Sequence, residues 1–346
     1  MNELLKKLTE ATGVSSTEKE VRLLIRDLIV DYVDEWHVDT MGNLIARKLG
    51  TGEMDLRVLL DAHMDEVGLM ISEIDSSGML KFETVGGIND RTLLGKVVEV
   101  GPKKITGVIG ARPIHLLKAN QRTTVVKHDS MRIDIGAKNK SAAEGKVKVG
   151  DTAAFVSEYK EIGATAVGKA FDDRAGCAVL IDILAGDPYP FDITAVFSVQ
   201  EEVGLRGAKV AAYSAEPDVA IVLECTPAYD LPNEKDMSPN VILGRGPAVY
   251  VMDRVTIQDP RLVSHIMRTA EDNDIPFQVR QPGGGGTNTG VIQPVRGGVS
   301  VATIAIPGRH AHTPSMMINL DDYKYAVELT KATLRSLDPQ IFNKQE

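Results

Sequence analysis

The sequence predicts an α/β protein with a mixed, mostly parallel sheet, flanking helices and a small inserted β-rich domain. Several short apolar runs have the composition of buried parallel strands, and helical patterns alternate with them. Residues 67–163 instead consist of short alternating segments divided by turns, which predicts a separate β-rich insertion.

The first predicted element is an amphipathic helix. Thr17 and Glu20 have the spacing of a capping box, which predicts that a helix begins there. The apolar residues that follow recur at the spacing of one helix face. These residues are Val21, Leu24, Ile25, Leu28, Ile29 and Tyr32.

Four apolar runs further along the chain each lead into residues of the types that bind metals. The runs are residues 58–60, 193–200, 219–223 and 299–306, and they precede His63, Glu201, Glu202, Glu224 and His312. In open α/β sheets, ligands bind beyond the carboxyl ends of the strands. We therefore expect these side chains to form a metal site at one edge of the sheet.

The insertion begins soon after the first of these runs. Residues 71–74 and 80–83 flank Asp75-Ser76-Ser77-Gly78, a pattern typical of a β-hairpin. Helix–strand alternation then resumes, with helices predicted at residues 173–184 and 320–337.

These patterns divide the chain into two domains. Residues 1–66 and 164–346 are predicted to form a catalytic α/β domain, and residues 67–163 an inserted β-rich domain.

Composition limits the partners and the compartment. The 346 residues are 43% hydrophobic, and the formal net charge of −9 argues against nucleic-acid or anionic-membrane partners, which need clustered lysines and arginines. The N-terminus lacks the apolar stretch of a signal peptide, and no segment approaches the length of a membrane span. Cys177 and Cys225 form no close-spaced pair. We expect a cytoplasmic protein.

The coincidence of two histidines with three acids favours a metal centre. His63, His312, Asp172, Glu202 and Glu224 supply enough nitrogen and oxygen ligands for two metal ions sharing one carboxylate. Asp65, two residues after His63, is expected to orient that imidazole; the alternative is a turn-forming aspartate.

The sequence contains two pairs of adjacent acids, and the two residues of each pair are expected to have different roles. In Glu201-Glu202, side chains diverge if the chain is extended, so one glutamate can bind metal while the other acts as a general base. The alternative is a solvated acidic loop. In Asp172-Asp173, one aspartate can cap the following helix while the other binds metal.

Other hydrolase and nucleotide-binding motifs are absent from the sequence. It contains neither His-Glu-x-x-His nor Gly-x-Ser-x-Gly, and it has no Walker A loop. The glycines at 283–286 are expected to give the backbone close access to a substrate cleft, or to form a mobile loop.

Together these motifs resemble the glutamyl aminopeptidase family of co-catalytic dinuclear metallopeptidases, which includes the tetrahedral aminopeptidases and proteins often named endoglucanases. The matching segments are residues 61–68, 171–176, 200–204, 224–228 and 312–314. The resemblance implies a zinc-peptidase-like fold with a PDZ-like insertion used in oligomer assembly, commonly to a hollow dodecamer. It also implies two divalent metal ions, usually zinc or cobalt.

The resemblance also assigns roles to residues. The implied ligands are His63, Asp172 and Glu224 for one ion, and Asp172, Glu202 and His312 for the other. It selects Asp172 over Asp173 as the bridge, Glu201 as the general base, and Asp65 as the support of His63.

The chain departs from the common family pattern at several positions. His310 stands where many relatives carry tyrosine, and Asn288 stands where aspartate is frequent. Glu224 occupies a position where relatives use either aspartate or glutamate.

The predicted function is hydrolysis of N-terminal residues from peptides by a dinuclear metal aminopeptidase. One alternative is a metal-dependent deacylase of N-acyl amino acids on the same scaffold. A more distant alternative is a glycoside hydrolase, because paired carboxylates also cleave sugars.

Overall fold

The computed structural model describes residues 2–231 and 241–342. In chain order its strands are β1 (Glu35–Val38), β2 (Leu44–Lys48), β3 (Val58–His63), β4 (Gly68–Ile74), β5 (Leu80–Val85), β6 (Val97–Val100), β7 (Ile105–Gly110), β8 (Arg132–Asp134), β9 (Thr152–Phe155), β10 (Lys160–Ile162), β11 (Thr165–Gly168), β12 (Ile193–Ser198), β13 (Val219–Pro227), β14 (Ala248–Tyr250), β15 (Gln278–Arg280), β16 (Ser300–Arg309) and β17 (Met316–Asn319). Its helices are α1 (Asn2–Glu10), α2 (Lys19–Ile29), α3 (Lys140–Glu144), α4 (Phe171–Leu184), α5 (Arg206–Ala215), α6 (Pro260–Asp272), α7 (Thr289–Ile292) and α8 (Leu320–Ser336).

A large mixed sheet forms the centre of the fold. Its strand order is β1-β2-β12-β3-β13-β16-β17-β11-β10, with β14 pairing to β16 and β15 to β14. The neighbouring strands β12, β3, β13 and β16 are parallel, whereas the strands at both ends of this order pair antiparallel. The predicted α/β class with flanking helices is confirmed, and parallel pairing is concentrated in the four apolar runs at the centre.

The central strands are buried because helices cover both faces of the sheet. Helices α4 and α8 contact one face, and α5 and α7 contact the other. In β13, Ile221 and Leu223 pack into the core on the α4 side, while Ala220 and Val222 pack on the α5 side. This alternation follows from the two-residue period of a strand and explains why the run is apolar throughout.

The start of α2 differs from the predicted capping box. The helix begins at Lys19, and no side chain caps it. The hydroxyl of Thr17 donates to the Val14 carbonyl, and Glu20 instead accepts hydrogen bonds from Thr12 and Lys104. The prediction was wrong because the Thr17 hydroxyl bonds the Val14 carbonyl and the Glu20 carboxylate is engaged by Thr12 and Lys104.

A closed barrel lies between β3 and the return of the chain to the large sheet. Its strand order is β4-β5-β8-β7-β6-β9, and it encloses its own cluster of buried side chains, including Leu69, Phe82 and Ile133. The chain then rejoins the large sheet through β10 and β11. Among the helices of the described residues, none has the length and apolar character that a bilayer crossing requires.

A buried polar network connects the N-terminal segment to the residues that follow β3. Arg174 is fully buried and donates to the carbonyls of Met64, Leu8 and Ala11 at 2.8, 2.6 and 3.1 Å. Glu66 accepts from Lys169 at 2.7 Å and lies 3.5 Å from Arg174. Because Met64 adjoins His63, this network fixes the end of β3.

Replacing Arg174 with methionine should lower the free energy of unfolding by about 3 kcal/mol, because buried carbonyls lose their donor. Urea denaturation measures the change. The control is Arg335→Met, since the Arg335 side chain is 61% exposed and its nearest acid, Asp187, is 4.0 Å away. Equal stabilities for the two variants would contradict a structural role for Arg174.

Candidate metal centre and active site

Parallel pairing places the ends of β12, β3, β13 and β16 at the same edge of the sheet. In the register of the sheet, His63 at the end of β3 lies beside Ser198 at the end of β12. Glu224 lies in β13, the other neighbour of β3. His312 follows β16, which pairs with β13. The polar residues that follow the four apolar runs therefore lie at the same edge of the sheet.

The carboxylate of Asp172 lies between the two histidines. Its Oδ1 is 3.1 Å from Nε2 of His63, and its Oδ2 is 3.4 Å from Nε2 of His312. Glu224 Oε1 lies 3.5 Å from His63 Nε2, and Glu202 Oε1 lies 3.3 Å from His312 Nε2. The five side chains form two groups that share Asp172.

Asp173 has a different environment from its neighbour. Its Oδ2 accepts the backbone N–H of His63 at 3.2 Å, and its Oδ1 accepts that of Gly176 at 3.0 Å, inside the first turn of α4. Asp173 also has a carboxylate oxygen within 4.8 Å of ligand atoms of His63 and Glu224. Its oxygens are nevertheless engaged by backbone donors, whereas those of Asp172 face the imidazoles.

Both histidines present the same ring nitrogen to Asp172. Nδ1 of His312 donates to the Gly87 carbonyl at 2.8 Å, a contact made by the loop after β5. Nδ1 of His63 lies 3.3 Å from the carboxylate of Asp65. A partner that holds Nδ1–H leaves the Nε2 lone pair available, as in histidines that bind metals.

Asp65 also anchors the loop after β12. Its carboxylate accepts the backbone N–H groups of Glu201 and Glu202 at 3.0 and 3.2 Å, and the Ser15 hydroxyl at 2.6 Å. Burial alone would raise the pKa of Asp65, but its contacts with His63 and these donors hold the pKa below its usual range. The carboxylate is therefore charged and fully hydrogen-bonded.

The two adjacent glutamates face different histidines. Glu202 approaches His312, whereas Glu201 Oε2 lies 3.9 Å from Nε2 of His63. Gln200, just before them, has a positive φ of 56°, so the chain turns sharply as it leaves β12. The backbone hydrogen bonds to Asp65 then hold both glutamates at the strand end.

Burial makes this group of acids electrostatically costly. Desolvation raises the pKa of Glu202 to about 8, and it raises those of Glu201 and Glu224. Burial would lower the pKa of His312, but the hydrogen bond to Asp172 and the charge of Glu202 raise it to about 10. Carboxylates collected in this way need nearby positive charge.

The donor set fits divalent metal ions. Glu224 Oε2 is buried without a hydrogen-bond partner, so one oxygen of this acid is left free for a cation. Imidazole nitrogens and carboxylate oxygens are ligands of catalytic zinc and similar metals. The described residues therefore contain histidine and acid groups that could hold a metal.

The positions that depart from the family pattern lie in different places. Asn288 is buried and donates to Asp61 at 2.7 Å and to Ser198 at 3.0 Å. Burial raises the pKa of Asp61 to about 7. His310 is exposed and is absent from the metal-binding groups found among the described residues.

A cleft of about 850 Å³ opens beside these acids. Glu201, Glu202 and Glu224 line it, and so do the glycines at 284–286. Two arginines, Arg254 and Arg280, also line it and were missed from the sequence. No motif marks them, because only the folded chain brings these positions, which are distant in sequence, to the same cleft as the acids.

The chain is similar to known aminopeptidases in sequence and in fold. The chain is 34% identical to a lysyl aminopeptidase of Pyrococcus furiosus over 98% of both chains. A TET aminopeptidase from a marine sediment archaeon (Thaumarchaeota) superposes with a TM-score of 0.94 at 37% identity, covering 98% of this chain and 97% of that one.

A second structure, a Pyrococcus horikoshii TET peptidase, is described as able to assemble into a tetrahedron or a large octahedral shell. It superposes with a TM-score of 0.87 at 33% identity, covering 97% of this chain and 99% of that one. The sequence profile of M42 glutamyl aminopeptidase matches residues 42–329. This chain, a hydrolase, belongs to the M42 glutamyl aminopeptidase family.

Proposed function

We propose that the protein is a dinuclear metal aminopeptidase that removes N-terminal residues from peptides. The observation that carries the proposal is the position of Asp172, whose two oxygens each face Nε2 of a different histidine. A carboxylate placed in this way suits a bridge between two neighbouring cations.

The ligand assignment follows from the two groups that share Asp172. His63 and Glu224 complete one site with it, and Glu202 and His312 complete the other. Zinc or cobalt suits this mixture of nitrogen and oxygen ligands. Bound divalent ions would polarise the scissile carbonyl and increase the acidity of the attacking water.

Glu201 is the general base in this proposal. It lines the cleft, and its nearest imidazole contact, at 3.9 Å, is longer than those of the proposed ligands. Its carboxylate takes a proton from the attacking water and later delivers it to the leaving amine. Asp65 positions this base through the Glu201 backbone N–H and orients His63.

The acidic edge of the cleft also supports cleavage at a free N-terminus. Carboxylates of Glu201, Glu202 and Glu224 line the cleft, and an ammonium group is favoured beside them. A blocked amine carries no positive charge and gains nothing from these acids. This difference favours an aminopeptidase over a deacylase of N-acyl amino acids.

Glu201→Gln should retain metal and lose about 10²–10⁴-fold in kcat, because the amide cannot accept a proton. Metal content by mass spectrometry and turnover of an aminoacyl anilide test this. The matched comparison is Glu202→Gln, which should lower metal content because Glu202 is a proposed ligand. Full turnover by Glu201→Gln would remove this residue from the mechanism.

Removal of divalent metal with a chelator should abolish hydrolysis, and adding back zinc or cobalt should restore it. The assay pairs free aminoacyl anilides with their N-acetyl forms, and cleavage should be confined to the free amines. Preference for the acetylated substrates would indicate a deacylase. Chelator-resistant release of reducing sugar would indicate a glycoside hydrolase.

The inserted domain, residues 67–163, mediates homo-oligomer assembly in this proposal, and a dodecamer is the expected form. Val97 pairs with Val108 across β6 and β7, and both side chains are exposed, as is that of Val156 next to β9. These valines give the barrel an apolar outer stripe. The shell described for the Pyrococcus horikoshii relative adds support.

Light scattering should therefore give a particle mass close to twelve times the 37.4 kDa of one chain. Val108→Glu should reduce that mass, because a charge in an apolar contact is costly. Lys138→Glu, an exposed change elsewhere on the barrel, is the control. A wild-type mass of 37.4 kDa would contradict the assembly proposal.

A further inference from the structure

A loop of the barrel reaches the second group of proposed metal ligands, which consists of Asp172, Glu202 and His312. The loop is formed by residues 86–89, which follow β5. The carbonyl of Gly87 in this loop accepts the Nδ1–H of His312 at 2.8 Å. Because His312 follows β16 of the large sheet, this hydrogen bond joins the two parts of the fold.

The first two positions of the loop have no room for a larger residue. A Cβ atom at Gly87 would lie 3.2 Å from Nδ1 and 3.6 Å from Cε1 of His312. A Cβ atom at Gly86 would lie 3.3 Å from Cβ of Glu202, and the φ of Gly86, 83°, also favours glycine. The loop therefore packs directly against Glu202 and His312, the two ligands that belong to the second group alone.

The barrel also contacts the surroundings of this group through β9. A cavity of about 10 Å³, enough for about one water molecule, is lined by Asp172, Glu202 and His312. Phe155 of β9 and Val67, which precedes β4, line the same cavity. The second group is therefore enclosed partly by barrel residues.

The far end of the loop is anchored within the barrel. Asp90 lies in the helical turn that follows the loop, and its Oδ1 accepts from Nδ1 of His128 at 2.8 Å. Lys127 Nζ lies 3.2 Å from its Oδ2. The side chain of Ile88 packs against the core of the barrel. A loop that is held at both ends can fix the direction of the carbonyl that binds His312.

The histidine of the first group has a different support. Nδ1 of His63 lies 3.3 Å from the carboxylate of Asp65, which precedes the barrel, and the His63 side chain is only 1% exposed. The side chain of His312 is 35% exposed, and a neutral carbonyl holds its Nδ1–H. Partners that orient a ligating histidine typically change metal affinity by about 10- to 100-fold.

We propose that Gly87 is a positioning residue for the second metal site, and that the barrel thereby sets the affinity of this site for divalent ions. The Gly87 carbonyl holds the Nδ1 proton of His312 and so directs Nε2 toward Asp172 and Glu202. This inference rests on the proposed metal ligands. It gives the barrel a role in the active site in addition to its proposed role in assembly.

The test replaces Gly87 with alanine and measures zinc content by mass spectrometry over a series of chelator concentrations. The φ of Gly87 is not positive, so alanine suits the backbone, and the added methyl group meets only the His312 ring. The wild type should hold two ions. In Gly87→Ala, the Kd of one ion should rise roughly 10-fold and that of the other should not change.

The control is Gly110→Ala at the end of β7 in the same barrel. A Cβ atom there meets no atom within 4 Å, and the φ of Gly110 is not positive either. This variant should release zinc as the wild type does. Equal weakening in both variants would assign the effect to a general disturbance of the barrel and overturn the inference.

Two further measurements identify which ion is affected and in what way. Gly87→Ala crystals are equilibrated at a zinc concentration that leaves one ion bound. Anomalous diffraction at the zinc absorption edge should then locate that ion at His63 and Glu224. At saturating zinc, kcat for a free aminoacyl anilide should return toward the wild-type value, because the substitution changes affinity for the ion.

Other outcomes would contradict the inference. Unchanged release of both ions by Gly87→Ala would overturn it and leave the proposed metal centre intact, and so would loss of the ion at His63. Turnover that stays low with both ions bound would show that Gly87, which lines the cleft, acts on the substrate instead. A wild-type protein that binds no divalent ion would reject both this inference and the proposed function.

Discussion

The buried carboxylate of Asp65 is the contact on which the site depends. It accepts the backbone N–H groups of Glu201 and Glu202 and faces Nδ1 of His63. The end of β3 and the loop after β12 are therefore joined by one side chain. Without this carboxylate, the orientation of His63 and the placement of both glutamates would have no common support.

The same edge of the protein must tolerate a high density of acids. Glu224 and Glu202 have their pKa values raised by desolvation, which means that their charged forms are disfavoured there. Behind the site, Arg174 and Lys169 bind carbonyls and Glu66, so the backbone is rigid where the acids meet. These contacts support the backbone on which the acids lie.

Acids and arginines both line the cleft, and different elements supply them. The acids come from the loop after β12 and from β13, whereas Arg280 comes from β15, which reaches the sheet only through β14. The acids therefore lie on or next to the central parallel strands. Arg280 instead lies on a short outer strand.

The sequence alone determined the sheet class and predicted most residues of the proposed site, because buried parallel strands are continuously apolar and end where polar residues begin. His63, Glu201, Glu202, Glu224 and His312 were predicted in this way. The residues alone left Asp172 and Asp173 open, and the tertiary structure shows how their surroundings differ, since Asp173 accepts a hydrogen bond from the backbone of His63, which is distant in sequence. In the tertiary structure, the predicted capping box at Thr17 does not form. Folding also brings Arg280 to the cleft. Local patterns report local backbone preferences, whereas these contacts depend on which strands become neighbours.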